Sequence, residues 1–303
     1  AENEGDNAVS NILTLDTGAD ISGNATGGVA VEGAGNALTN TVDVLDTAKV
    51  AGAVTGGVSY DGNAKENVVN MAGGTVIRGV TGGRTLETGE AALNQVTIYG
   101  AAIGEETEQS GAVFGGVSAK GMANNNVVKI VGSTTTYENV VGGNSWEASA
   151  SGNKVTILGT SSIGTHVFGG VGKTGAAENT VIIGGSTQIG GAVIGAQAEA
   201  GDAERNTVFI QGGTIAEDVV GGDALDGNAN DNAVIVTGGT INGDIIGGIS
   251  NPDSSSGNTI IIAGGTINGD IIGGYGAADG SIIGNTVDIL GGTFGEDASL
   301  YGG

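Results

Sequence analysis

Carboxylates recur at a near-fixed offset in the C-terminal part of the chain: Asp218, Asp244, Asp270 and Asp297. Such a column allows two chemistries. An Asp in a tight turn hydrogen-bonds nearby backbone and holds the turn. Carboxylates aligned between rungs also supply the hard oxygen ligands that Ca²⁺ prefers. Two charges ~4.8 Å apart repel by only ~1 kcal/mol in water, so the column does not require an ion. The stretch from Asp223 to Asp231 is a second oxygen-rich candidate, although it does not match an EF-hand loop. His166, the only His, replaces the Asp of the same turn, and no Ser/His/Asp arrangement surrounds it. It reads as a variant turn residue. Cysteine is absent, which removes disulfides, thiolate nucleophiles and zinc–thiolate sites. No Gly pair leads into a helix with Lys-Ser or Lys-Thr, so phosphate-loop readings fail. The chain is not expected to be an enzyme, and Ca²⁺ is its one candidate cofactor.

The spacing of the aspartates belongs to a larger repeat. Asn11, Asn40, Asn67, Asn94, Asn126, Asn153, Asn179, Asn206, Asn232, Asn258 and Asn285 each open the same phrase. After Asn come a β-branched run, Gly-Gly, Thr-Ile, a turn, two aliphatics and Gly-Gly. A period in this range marks a stacked array. Eleven amides in register predict a ladder in which each side chain donates to the next and accepts from the previous one.

Within a coil the second and fourth residues after Asn are apolar throughout, from Leu13 and Leu15 to Val287 and Ile289. Alternation puts this pair on one face of a first strand, toward a core. In the coil from Asn232, Gly238-Gly239 is expected to turn the corner into a short strand, Thr240-Ile241. Asn242-Gly243-Asp244 is a turn, and Ile245-Ile246 a third short strand closed by Gly247-Gly248. A variable loop, 249–257, returns to the next Asn. The predicted fold is all-β: a single-stranded, three-sided parallel β-helix of about eleven coils of 26–27 residues. It forms one repeat domain over residues 1–303, with 1–10 as a lead-in. Ten steps at ~4.8 Å make a rod on the order of 50 Å long.

Composition agrees. Gly is 63 of 303 residues without a Gly-X-Y period, which excludes collagen, and 39% hydrophobic residues is too many for a disordered tail. The balance of 33 acidic to 9 basic residues, a net charge of −24, repels phosphate backbones and anionic bilayers. Nucleic acid is therefore not an expected partner. No apolar run approaches the ~20 residues of a membrane helix, so membrane insertion by this chain is not expected.

Departures from the repeat mark candidate binding features. The third, outward position is polar early but becomes Ile182, Phe209, Ile235 and Ile261 in four consecutive coils. That stripe reads either as strand propensity or as a contact with another chain. Trp146 falls in a loop, where it can stack on a sugar or anchor a partner. The coil from Asn94 is the longest; its extra segment, 104–110, is acidic and reads as a surface loop.

The phrases Asn206–Ile215, Asn258–Gly274 and Asn285–Phe294 resemble repeats of bacterial autotransporter passenger domains. The resemblance covers almost the whole chain. It implies a right-handed β-helix displayed at the bacterial cell surface, extracellular and commonly adhesive. No residue of a catalytic motif can be placed through it. Partners are then a protein or glycan surface ligand, or copies of the chain itself. A self-assembling structural protein stacking end to end is the alternative, since the last coil, ending Leu300-Tyr301-Gly302-Gly303, shows no amphipathic cap. A polysaccharide lyase or hydrolase is a third reading, without a distinctive residue cluster to support it.

Overall fold

Val, Ile and Leu at alternate positions after each Asn can bury one edge of a strand, but a single rung has too few of them to stand alone. Stacking resolves this. The computed structural model describes residues 6–31, 33–105, 110–276 and 280–303, and its described residues form strands, turns and loops without a helix. Parallel strands stack in chain order as a β-solenoid of about eleven turns. The first-strand ladder keeps its register throughout: Leu13 pairs with Val42, Val42 with Val69, Val234 with Ile260 and Ile260 with Val287.

The second- and fourth-position columns from Val42 and Val44 to Ile260 and Ile262 are buried in one continuous core. The inward residues of the second strand, such as Ile163, Ile189, Ile215 and Ile241, and of the third, such as Val167, Val193 and Ile245, complete it. In the terminal coils Leu13 and Val287 are only partly buried, and Ile289 is 36% exposed. Leu13 and Val287 still pack against the core, so the inward direction of the columns holds there as well.

The corners differ from the simple three-strand reading. First and second strands run on through Gly-Gly in several coils, as in Thr207–Ile215 and Ala233–Ile241. The bend is taken at the second glycine: Gly213 has φ +87°, and a Cβ there would lie 2.6 Å from the Thr187 carbonyl. The glycine pair after the third strand is no corner at all. Ile245–Ser250 passes straight through Gly247-Gly248, as Val219–Ala224 passes through Gly221-Gly222. Those glycines exist because the Asn column packs onto them. A Cβ on Gly222 would lie 2.6 Å from Asn232 Nδ2, and one on Gly221 would strike the Gly247 carbonyl.

The variable loop also carries structure. Two-residue strands, among them Ala37–Leu38, Ala64–Lys65, Ala91–Ala92 and Ala203–Glu204, form short ladders just before the Asn. Small alanines beneath, including Ala176, Ala198, Ala203 and Ala224, make a minor second core. Of the acidic insertion, residues 106–109 lie outside the described residues.

Gly221→Ala is expected to cost about 1–3 kcal/mol, because its Cβ would strike the Gly247 carbonyl and the Asn232 Cβ, which cannot swing aside. Gly23→Ala, where a Cβ meets nothing within 4 Å, should stay within about 0.5 kcal/mol of wild type. Chemical denaturation of the two variants side by side tests the pair, and equal losses would contradict the packing role of the Gly-Gly pair.

Candidate functional site

The asparagines stand in one column. In every step, backbone N–H and Nδ2 of one Asn both donate to Oδ1 of the next; the Nδ2 bonds span 2.8–3.0 Å from Asn11–Asn40 to Asn258–Asn285. The second Nδ2 proton goes to a short-ladder carbonyl, for example Asn179 to Ala150 at 3.0 Å and Asn232 to Ala203 at 2.9 Å. The backbone carbonyl accepts from the following coil, as Asn153 does from Thr180 at 2.8 Å. Asn40 to Asn258 are buried, and among the described residues no buried side-chain polar atom lacks a partner. Only a short primary amide supplies two donors and two acceptor lobes at this reach.

The residue before every ladder Asn is left-handed. Ser10, Thr39, Glu66, Leu93, Asn125, Glu178, Arg205 and Asp231 have φ of 53–59°, and Gly152, Gly257 and Gly284 take the same role at 68–71°. For a non-glycine residue this costs about 1–3 kcal/mol unless the surroundings over-determine it. Here the ladder amide on one side and the short ladder on the other do so. The variety of residue types hid this corner from sequence reasoning; the glycines in three coils were the available signal.

The turn aspartates form a second, shorter ladder. Asp218 Oδ1 accepts the Asp244 N–H at 2.8 Å, and Asp244 Oδ1 the Asp270 N–H at 2.7 Å. The next donor is Ser299, to Asp270 at 2.8 Å. Asp297 therefore does not belong to the column. Ile271 pairs with Leu300, so the longer last turn puts Ser299 in register and Asp297 two residues early. Asn24 and Asn139 do the same work for Ala53 and His166. His166 in turn accepts the Ala192 N–H on Nδ1 at 2.8 Å, a ring nitrogen standing in for a carboxylate oxygen. No group of three His, Cys, Asp or Glu able to hold a metal occurs among the described residues.

Two outward rows run along the rod. Ile182, Phe209, Ile235 and Ile261 are in direct register on the first-strand face. Each is half-buried rather than fully exposed, because the neighbours above and below cover its flanks. Sequence reading missed a longer row on the third-strand face: Phe114, Val141, Phe168, Ile194, Val220, Ile246, Ile272 and Tyr301, of which Val141, Val220 and Ile246 are buried by their neighbours. Its signal was present, since one aliphatic of each third-strand pair must face out.

Trp146 is 56% exposed at the end of the third strand Val140–Ser145. It borders a concavity of about 350 Å³ that reaches across successive coils to Leu225. Asp223, the first residue of the oxygen-rich stretch, lies in the strand Val219–Ala224, where its Oδ2 accepts from Gln197 Nε2 at 3.0 Å. Desolvation by burial raises its carboxyl above the usual aspartate range, and the Gln197 bond opposes this in part.

No family model, curated protein or solved structure matches the chain.

Asn179→Ala takes away the acceptor of the Asn153 N–H and Nδ2 and one of the two donors to Asn206 Oδ1, in a buried column, and should cost about 1–3 kcal/mol. An unchanged melting curve would refute the energetic role of the ladder. Asp223 holds its proton more tightly when folded than when unfolded. Stability relative to Asp223→Asn should therefore fall as pH rises from the ordinary aspartate range through the raised folded value, then level off. Denaturant titrations of both proteins across that window test the sign; a constant gap at all pH values contradicts it.

Proposed function

We propose that the chain is the rod of a secreted, surface-displayed protein of the bacterial autotransporter-passenger kind, with an adhesive or structural rather than catalytic role. The observation that carries this reading is the outward row Ile182, Phe209, Ile235 and Ile261, half-exposed in four consecutive coils and in strict register. A row of side chains repeating at strand spacing is a linear surface suited to an extended partner, not to one small substrate. The parallel solenoid fold is compatible with such a passenger. The net charge of −24 favours solubility and steers the rod away from anionic surfaces. The turn carboxylates of Asp218, Asp244 and Asp270 each hold a backbone N–H, a use that suits scaffolding better than proton exchange.

The test is binding of the labelled protein to cell monolayers and to immobilised matrix proteins, with Phe209→Ser and Ile235→Ser as probes of the stripe. Binding by wild type that falls about tenfold in both variants, at unchanged melting temperature, is the expected result. Absence of binding, or release of reducing ends from acidic polysaccharides, would overturn the reading. Sedimentation run in parallel shows whether the partner is a second copy of the chain.

A further inference from the structure

The concavity beside Trp146 has an order that the repeat alone does not explain. Ser145, Gly172, Ala198 and Ala224 are paired rung to rung at the end of the third-strand sheet. One residue beyond each stands a side chain of a different kind: Trp146, Lys173, Glu199 and Leu225. The two ends of this set are exposed and apolar, Trp146 at 56% and Leu225 at 52%. Three rung steps separate them, ~14 Å at the strand spacing. Between them the wall is charged with both signs, and the floor is a second registered column, Asn144, Val171, Gln197 and Asp223. The result is an open groove with an indole at one end, an aliphatic at the other, and amides and carboxylates in between.

That combination suits a particular chemistry. An exposed indole offers a flat apolar face to C–H groups, while planar amides and carboxylates take hydroxyls as donors and acceptors at once. An anionic ligand is disfavoured by the net charge of −24, and within the groove Lys173 and Glu199 offset each other, so the lining itself selects neither sign. We propose that the Trp146–Leu225 groove is a binding subsite for a short, neutral oligosaccharide segment, with a pyranose stacked on Trp146 and its hydroxyls on Gln197 and Asn144. The proposal rests on the reading of the rod as a binding surface and names the ligand chemistry for one part of it. The Gln197–Asp223 hydrogen bond fixes the amide so that its carbonyl faces away from Asp223 and is free for a ligand hydroxyl.

Trp146 is the only tryptophan, so indole emission reports on this groove alone. The intact chain is titrated with maltotriose, cellotriose and chitotriose, and separately with tetralysine. The expected result is a saturable emission change with at least one of the sugars, weakened about tenfold in Gln197→Ala and in Leu225→Ala, the latter at unchanged melting temperature. Silence with all three sugars up to their solubility, or a saturable response to tetralysine alone, overturns the proposal. If the sugars are silent while the Phe209 and Ile235 variants still abolish surface binding, the groove assignment fails and the function proposed above stands. If the sugars bind but no surface does, the converse holds.

Discussion

The asparagine ladder is the constraint on which the other features depend. From Asn40 to Asn258 each amide is buried and bonded to the rung before, the rung after and the short ladder beside it. That geometry can be met only if successive coils keep a common register at this corner. Loop length then becomes free. The step from Asn94 to Asn126 spans 32 residues and that from Asn153 to Asn179 spans 26, yet both close with a 3.0 Å amide bond. Extra residues leave the rod as loops before the chain returns to its column. The left-handed residue ahead of each Asn is what turns the chain back, and its strain is tolerated because the ladder fixes both flanks.

The ladder also explains the glycine pair that it faces. An amide column this close to the third-strand sheet leaves little volume on the strand beneath, so Gly221-Gly222 and Gly247-Gly248 are bare and the counterpart of Gly222 one coil earlier is only as large as Ala196. Asn and Gly-Gly are two halves of one packing solution. The aliphatic core fills the other corners of each coil, and each rung mainly touches its neighbours, so stability accumulates along the rod. Loss of one amide is therefore felt locally, at the rungs directly above and below.

The repeat imposes less on the outside. The outward positions pass from polar in the early coils to apolar rows in the later ones without disturbing the core. The turn ladder is similarly permissive: Asn, His, Asp and Ser take part in it, because it asks only for a side-chain acceptor or a backbone donor. The groove between Trp146 and Leu225 arises where four consecutive rungs happen to carry unlike side chains at one position.

Periodicity alone determined the parallel solenoid, the inward columns from Val42 to Ile262 and the asparagine column, because each is a property of spacing that every rung repeats. The tertiary structure decided what spacing does not encode. It placed the second glycine pair inside a strand, since that depends on what lies across from it. It put Ser299 rather than Asp297 in the turn column, since register follows the paired Ile271 and Leu300 and not the residue count. It brought Trp146, Gln197 and Leu225 together, although dozens of residues separate them, because stacking turns one coil of chain into a single step along the rod.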